Sequence, residues 1–337
     1  MINTVEEAIG QLRHIQVDSQ HSPHDIVHMI LGGGLSQSIF NISTGAHQRA
    51  IEFLCKETGN IRDYPIGGGI IHEDGKGRPH FVAGTESFPV DSRQNEILGT
   101  LTVAGVHLES TPVTTNHGRE RMLADLAESS QQKFRISATE PSWSLMLFSA
   151  YPGPTKEWTN EDGESISVEK ILRSAIVWPY GEGACMGTHL IEGVAHAVSK
   201  FCLEEDIEPS LLEGTWKDAF EYVGKAIRLM EMNQKEDGSI DRRWFGERKM
   251  PHGKKEWKEK AKDLFSRRYH PAKAIVYPTG HCLDALSPLG MFLAAEREWM
   301  YRACYVTAKT IQDEWIPLAS EISTLSHAVH ALKLLGE

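Results

Sequence analysis

The chain repeats one pattern six times: a stretch with the periodicity of an amphipathic helix precedes a stretch that predicts a more apolar helix. The amphipathic stretches are residues 5–15, 46–56, 120–134, 168–177, 216–232 and 294–311. The apolar stretches are residues 24–31, 97–106, 140–151, 188–201, 279–293 and a last one from 323. Each apolar stretch opens on a polar motif. Helix-loop-helix units repeated every roughly 45–60 residues are typical of repeat architectures.

This alternation predicts an all-α fold, because a helix that is apolar around most of its circumference belongs inside a protein and an amphipathic one can face water. Six such hairpins close most simply into an (α/α)6 toroid, with six inner and six outer helices, as one domain over residues 1–337. An open helical solenoid is the alternative, but it does not explain why the second helices are the apolar ones throughout. We expect an irregular insert at 60–92, with a small β-hairpin near 68–84, and a charged linker at 239–275.

The overall composition is that of an ordinary globular protein and excludes several functions. Of the 337 residues, 40% are hydrophobic and 24% charged, and the net charge is -11. No concentrated basic surface is available to neutralise phosphates, so we expect no nucleic-acid partner. No apolar run approaches the roughly 20 residues that span a bilayer, so we expect no membrane insertion. A small-molecule substrate is the expected partner, and the oligomeric state is left open.

The five cysteines and the N-terminal residues bear on location. The cysteines are odd in number and form no Cys-x-x-Cys pair, which argues against a disulfide scaffold and suits a reducing compartment. The first residues lack the basic and apolar regions of a signal peptide. These features predict a cytoplasmic protein.

The polar motifs that open the apolar helices predict a shared site. All the inner helices of a toroid run the same way, so their starts meet at one mouth. Three motifs hold a pair of polar residues three apart, which places both on one helix face. The residues expected at the mouth are His28, Gln94, Asn95, Trp143, Cys185, His189, Glu192, His281, Asp284, His327 and His330.

These residue types favour a metal site. Imidazoles and carboxylates suit transition metals such as Zn, Fe, Mn, Ni and Cu, and facing helices build such sites from the same spacing. We therefore expect a divalent metal ion on His189, His281, His327 and His330. The alternative for any one histidine is that it caps a helix or satisfies a buried backbone group, and it is the set at corresponding points of three repeats that favours a site.

The other site residues have more modest expected roles. Asp284 is expected as a ligand or an orienting carboxylate, and His28 or Glu192 as the general acid or base. Gln94, Asn95, Trp143 and Cys185 are expected to line the substrate cavity, although a buried cysteine is more often a core residue.

Several of these motifs resemble known toroid proteins. Residues 234–239 (Gln-Lys-Glu-Asp-Gly-Ser) resemble the Gln-x-x-Asp-Gly-Ser turn of the squalene-cyclase-like and prenyltransferase-like α/α toroids. The motifs Ala-Cys-Met-Gly-Thr-His at 184–189, Thr-Gly-His at 279–281 and His-x-x-His-Ala-Leu at 327–332 are similar to those of a bacterial family of toroids without an assigned reaction. The resemblance covers roughly residues 5–335. It implies a fold and a motif set, but no chemistry.

The sequence thus supports an enzyme that acts on a small or medium organic substrate with a metal ion. A metal-free lyase or isomerase of the sugar or terpenoid type, using His and Asp as acid and base, is the second hypothesis. A non-catalytic ligand-binding toroid is the third. The Asp-rich acid motif of class II terpene cyclases is missing from the sequence, so prenyl chemistry is an analogy only.

Overall fold

The fold is described from a computed structural model. It describes residues 2–12, 17–18, 21–42, 44–57, 69–85, 88–89, 93–137, 140–245, 270–290 and 298–335.

The described part of the chain is mainly helical and also carries five two-stranded antiparallel hairpins. The helices are α1 (Ile2–Leu12), α2 (Pro23–Gly33), α3 (Ala50–Glu52, continued by a π-helical turn at Phe53–Glu57), α4 (Glu96–Val103), α5 (Leu123–Lys133), α6 (Ser142–Ala150), α7 (Val168–Ala175), α8 (Thr188–Glu204), α9 (Gly214–Met232), α10 (Pro271–Asp284), α11 (Glu298–Asp313), α12 (Trp315–Leu318) and α13 (Ile322–Leu335). The strands are β1 (Ser38–Asn41), β2 (Ala46–Arg49), β3 (Ile71–Glu73), β4 (Pro79–Phe81), β5 (Gly84–Thr85), β6 (Phe88–Pro89), β7 (Pro112–Thr114), β8 (Glu120–Met122), β9 (Glu157–Thr159) and β10 (Ser165–Ser167).

Capping residues set the helix starts where the sequence predicted them best. The Ser22 hydroxyl accepts a hydrogen bond from the Asp25 amide at 3.1 Å, and Pro23 is the first helical residue of α2. Ser167 caps α7 in the same way through the amide of Lys170. Both caps satisfy amides that have no partner inside the helix.

Six helices bury most of their surface and pack on one another in sequence order. Helix α2 packs on α4, α4 on α6, α6 on α8, α8 on α10, α10 on α13, and α13 on α2. In α6 the first eight residues are all buried. These are the helices whose sequences are the more apolar members of each pair. Their partners lie against them, as α1 does on α13 and α9 on α8.

Glycines at the contacts between these helices allow close approach. A Cβ at Gly193 of α8 would lie 2.4 Å from the carbonyl oxygen of Ser142 in α6. A Cβ at Gly280 of α10 would lie 2.8 Å from the Cβ of Ala328 in α13. A larger residue would push the two backbones apart, so these glycines fix the distance between neighbouring helices.

Helices α10 and α13 run in the same direction. Lys273, near the start of α10, pairs with Glu321, which directly precedes α13, and Asp284, at the end of α10, bonds His330 further along α13. Helix α2 follows the same direction beside α13, because the ring of His28 lies against that of His327 and the ammonium of Lys333 bonds the carbonyl of Gly32. The last turn of α10 therefore lies beside the second and third turns of α13, and the second turn of α2 lies beside the second turn of α13.

The β-hairpin expected near residues 68–84 is present. Strands β3 and β4 pair with Ile71 opposite Phe81, and Asp74 closes the turn by accepting from the amides of Lys76 and Arg78. Three further hairpins, β1–β2, β7–β8 and β9–β10, each lead directly into α3, α5 or α7. Each hairpin thus links an inner helix to the start of the next outer one.

Several predicted boundaries are wrong. Residues 46–49 and 120–122 form strands, so the helices predicted from 46 and 120 start later, at Ala50 and Leu123. Helix α10 begins at Pro271 rather than at 279, because Pro278 is accommodated inside the helix. It ends at Asp284. The predicted linker at 239–275 therefore overlaps this helix, and its residues 246–269 lie outside the described part. So do residues 60–68, 86–87 and 90–92 of the predicted insert, and residues 291–297 of the helices predicted at 279–293 and 294–311.

The Gln-x-x-Asp-Gly-Ser turn joins two distant segments. The side-chain amide of Gln234 donates to the carbonyls of Gly238 and, at 2.7 Å, of Trp299 in α11. Asp237 accepts from the amide and hydroxyl of Ser239. The turn therefore ties α9 to the start of α11. Among the described helices, none is long and apolar enough to cross a membrane.

Candidate functional site

Three histidines from three helices meet inside the protein. His189 lies in the first turn of α8, His281 in the last turn of α10 and His327 in the second turn of α13. The His281 and His327 ring centroids are 4.2 Å apart, and His189 lies 4.9 Å from His327 and 5.6 Å from His281. His28 of α2 adds a fourth ring, 5.1 Å from His327. All four are buried.

Backbone carbonyls orient two of these rings. His281 Nδ1 lies 2.8 Å from the carbonyl oxygen of Tyr277, and His28 Nδ1 lies 2.6 Å from that of His24. A carbonyl can only accept a hydrogen bond, so Nδ1 must carry the proton in both rings. Nε2 then has a free lone pair when the ring is neutral.

Carboxylates orient the other two rings. His189 Nδ1 lies 3.0 Å from Glu192 Oε2, and His327 Nδ1 lies 2.6 Å from Asp284 Oδ2. In metal proteins the ligating histidine commonly bonds a carboxylate or carbonyl through its other nitrogen, which fixes the ring and makes it a better ligand. All four histidines of the cluster have this arrangement.

Two nitrogens of the cluster lack partners. Among the described residues, neither His281 Nε2 nor His327 Nε2 makes a hydrogen bond of ordinary length and angle, although both atoms are fully buried. A buried polar atom without a partner costs about 1–3 kcal/mol. Two such atoms on adjacent rings make this a candidate site for a ligand.

Cys185 reaches the cluster from a strained turn. Cys185 (φ 47°), Met186 (φ 66°) and Gly187 (φ 75°) are three consecutive residues in the left-handed region, which non-glycine residues rarely adopt. The turn is held by hydrogen bonds from the Ala184 amide to Glu140 Oε1 and from the Thr188 hydroxyl to the Cys185 carbonyl. Strain of this kind persists where the surrounding structure imposes it, and it is frequent at functional sites.

Cys185, His189 and His281 form a set of potential metal ligands. One donor atom from each lies within 4.8 Å of the other two. Burial alone would raise the pKa of the Cys185 thiol, but the charges of His189 and His281 outweigh burial and hold that pKa well below its usual value. Burial would likewise lower the pKa of His189, and Cys185 and Glu192 raise it. The two groups together favour a thiolate beside an imidazolium.

Asp284 binds two histidines of the same helix face. Besides His327, its Oδ1 accepts from His330 Nδ1 at 2.6 Å. Burial would raise the pKa of Asp284, but His330 and His327 outweigh it and hold the pKa well below its usual range. The pKa of His330 is raised, since the nearby Asp284 overcomes burial. The structure therefore places His330 against a carboxylate rather than among the three central rings.

The pKa values of Glu192 and His327 are shifted in the opposite directions to those of Asp284 and His330. Burial raises the pKa of Glu192, and the neighbouring charge of Asp284 adds to that effect. Burial and the charge of His281 lower the pKa of His327 well below its usual value, so this ring is neutral near pH 7. Glu192, Asp284 and His327 also lie within 4.8 Å of one another.

An apolar wall and a charged group border the cluster. Trp143 packs with Met146 and Ala184 as a small cluster apart from the main core, and its ring lies 4.9 Å from that of His189. On another side His24 Nε2 lies 3.5 Å from Glu96 Oε1. Burial would lower the pKa of His24, but hydrogen bonds to Asp25 and Glu96 raise it to about 9.

The structure does not bring every predicted residue to the cluster. Asn95 is the left-handed N-cap of α4, and its side chain bonds the hydroxyls of Ser144 and Ser130. Gln94 is half-buried.

An open cavity of about 540 Å³ between α5 and the β3–β4 turn is lined by Gln131 and Tyr151, away from the histidines.

Sequence reasoning treated Cys185 as a cavity residue, placed His24 beside His28 at a helix start, and did not single out Tyr277. A signal for Tyr277 exists in the sequence, because it lies one helical turn before a cluster histidine. The role of Cys185 depends on its backbone conformation, which the sequence does not display.

Comparisons with protein-family models, with curated proteins and with solved structures find no match to the chain. The assignment of function therefore depends on the site itself.

Proposed function

We propose that the six inner helices form a closed ring and that the fold is an (α/α)6 toroid. The support is the order of packing, in which each of α2, α4, α6, α8, α10 and α13 contacts the next and α13 contacts α2. The Gln234 turn and the Trp244 side chain, which is fully buried, agree with a likeness to the squalene-cyclase and prenyltransferase toroids. The histidine cluster then lies inside the ring, between the start of α8 and the end of α10.

We infer that the cluster binds one transition-metal ion through Cys185, His189 and His281. The observation that carries this is the arrangement of the donors: each imidazole is held at Nδ1, and the thiol lies beside both rings. Thiolate and imidazole together suit zinc, with iron or copper as alternatives, and disfavour manganese. Three protein ligands leave a fourth position open, as in catalytic zinc sites.

His327 is the proposed general base. Its Nδ1 is held by Asp284, its Nε2 is unpartnered among the described residues, and its ring centroid lies 4.2 Å from that of His281 in the ligand set. A neutral imidazole fixed in this way can accept a proton from a water or hydroxyl that lies between it and the three ligands. Asp284 would stabilise the imidazolium that results, and His330 would hold Asp284.

The protein is accordingly proposed to be a metal-assisted enzyme that acts on a small or medium organic substrate. The ion would act as a Lewis acid toward a polar substrate group. A cytoplasmic location is proposed from the cysteines, all five of which are free thiols.

Elemental analysis tests this proposal. Protein purified without added metal should contain about one equivalent of zinc, iron or copper, and His281→Ala and Cys185→Ser should each contain less than a tenth of that. His196→Asn is the matched control, because His196 lies on the same helix as His189, is buried and bonds Ser149 instead. Less than a tenth of an equivalent in the wild type, unchanged after reconstitution, would contradict the proposal.

A nucleophilic cysteine is the second candidate function. The order Cys185–His189–Glu192 is that of a nucleophile, its base and an orienting carboxylate, and the strained turn and low thiol pKa favour it. In this case turnover would survive strong chelators and would be lost in Cys185→Ala.

Turnover that survives chelators and Cys185→Ala but is lost in His327→Ala would point to metal-free acid–base chemistry. If histidine variants change only stability, the toroid is a binding protein.

A further inference from the structure

The open cavity between α5 and the β3–β4 turn has the size and the lining of a small-molecule site. Its volume is about 540 Å³, and Tyr151, which directly follows α6, also lines it. Cavities of about 300–1,000 Å³ typically hold small organic molecules. None of the four histidines of the cluster lines this cavity. A ligand bound here would therefore be distinct from the substrate of the proposed metal site.

Two carboxylates on the cavity wall are bonded only to uncharged donors. Asp125 and Glu128 lie three residues apart on α5, which places them on one face of the helix. Asp125 Oδ2 accepts from the backbone amide of Met122 at 2.8 Å, and Glu128 Oε1 accepts from the Tyr151 hydroxyl at 2.9 Å. Among the described residues, neither carboxylate forms an ion pair. Like charges at this spacing repel each other, so this face is suited to a cation.

The two arginines that line the cavity pair with other carboxylates. Arg78 lies 2.8 Å from Asp74 and 3.0 Å from Glu161. Arg121 lies 3.6 Å from Glu73. Their charges are therefore offset by the β3–β4 hairpin and by the residues after β9, and not by the two carboxylates of α5.

The phenol of Tyr151 responds to a negative potential at the cavity. Burial raises its pKa to about 12, together with the hydrogen bond to Glu128 and the negative charges of Glu128, Glu109 and Asp125. A site lined by one sign of charge attracts ligands of the opposite sign. The potential at this end of the cavity therefore favours a cationic group.

Two buried polar side chains of the cavity wall lack partners. Ser129 is 3% exposed and Gln131 is 9% exposed, and both line the cavity. Among the described residues, neither Ser129 Oγ nor Gln131 Nε2 makes a hydrogen bond. Both side chains can turn about their own bonds to meet a ligand without movement of α5. A ligand hydroxyl suits both, because it can accept from the amide and can donate to or accept from the serine.

We propose that this cavity binds a small hydroxylated primary amine, such as an amino sugar or an amino alcohol. The ammonium group lies at Asp125 and Glu128, and hydroxyl groups of the ligand bond Ser129 and Gln131. The ammonium supplies the charge that the two carboxylates lack, and the hydroxyls supply the hydrogen bonds that the wall lacks.

Calorimetric titration of the purified protein at about pH 6, where an amine is protonated, tests the proposal. The probes are glucosamine, glucose, which lacks the amine, and cyclohexylamine, which lacks the hydroxyls. Glucosamine should bind at least tenfold more tightly than either of the other two. Glu128→Gln should weaken the binding of glucosamine at least tenfold, since its side chain can still accept from Tyr151 but carries no charge. Glu221→Gln, at an exposed position on α9, is the matched control and should bind like wild type.

Ser129→Ala separates a binding role from a structural one. It should weaken the binding of glucosamine at least threefold, while the urea midpoint of the free protein stays the same or rises, because an unpartnered buried hydroxyl is removed. A lower midpoint with unchanged binding would make Ser129 a structural residue and would contradict its role in the site.

Three other results would overturn the proposal. The first is equal binding of glucosamine and either of the other probes, and the second is no binding of glucosamine at millimolar concentration. The third is loss of glucosamine binding on treatment with a chelator, which would place the amine at the metal site. Unchanged binding after chelation is expected, so this proposal and the proposed metal site can fail separately.

Discussion

Replacing Asp284 by asparagine should destabilise the protein strongly, because one carboxylate holds two buried histidines. Asp284 is fully buried and accepts from His327 and His330 at 2.6 Å each. In Asp284→Asn the amide oxygen can accept from one imidazole, but its NH2 group faces the other N–H. One charge-assisted bond is lost and the second is weakened, each worth about 1.5–3 kcal/mol. We expect a loss of about 3 kcal/mol, the lower end of the range for breaking a buried ion pair.

Urea unfolding followed by tryptophan fluorescence, with a chelator present, measures this loss. With a slope of about 3 kcal/mol per molar urea, the midpoint should fall by about 1 M. Asp218→Asn, at an exposed position on α9, is the matched control and should change stability by less than about 0.5 kcal/mol. A midpoint for Asp284→Asn within about 0.2 M of the wild type would refute the reasoning.

The same pair of proteins gives a pH dependence with a definite sign. The folded-state pKa of Asp284 is lowered, so its stabilisation is complete above its unfolded pKa of about 3.9 and is lost as the pH falls below that value. The difference in unfolding free energy between wild type and Asp284→Asn should therefore shrink below about pH 4. A difference that grows in acid would contradict the assignment of the charge to Asp284.

Three further predictions concern the helix contacts and the borders of the site. Gly193→Ala should cost about 2 kcal/mol of unfolding free energy, because the new Cβ meets a backbone carbonyl of α6, whereas Gly10→Ala, with open space around it, should be neutral or stabilising. In NMR titrations His24 should titrate near pH 9, and Glu96→Gln should lower that pKa; an unchanged value would exclude the ion pair. In metal-free protein at pH 6, Cys185 should react with iodoacetamide at least tenfold faster than the other cysteines, whose pKa values burial raises, and equal rates would contradict its low pKa.

The predominance of helices and the order of the helix pairs were predictable because they depend on the spacing of apolar residues. The β3–β4 hairpin was also predictable, since its Asp-Gly turn is a local signal. The start of α10 was not predictable, because a proline usually marks a helix boundary. Pro278 instead lies inside the helix, which begins at Pro271. Hairpins β7–β8 and β9–β10 are three residues per strand, too short to show an alternating pattern.

That these histidines and Asp284 lie close together was largely predictable, but their individual contacts were not. The spacing of His327 and His330 correctly placed them on one face, yet both meet Asp284 of a neighbouring helix. Pairing across helices depends on their relative depth, and the late start predicted for α10 concealed it. Cys185 enters the site through a left-handed backbone that no local residue type requires.

The most direct test of the proposed metal site is anomalous scattering from a crystal of the zinc-loaded protein at the zinc absorption edge. The proposal predicts one strong peak within about 2.3 Å of Cys185 Sγ and about 2.0–2.1 Å of the Nε2 atoms of His189 and His281. His327 Nε2 should lie beyond ligand distance, facing the open position. A zinc-loaded crystal with no anomalous peak at these residues, or with its only peak elsewhere, would contradict the account.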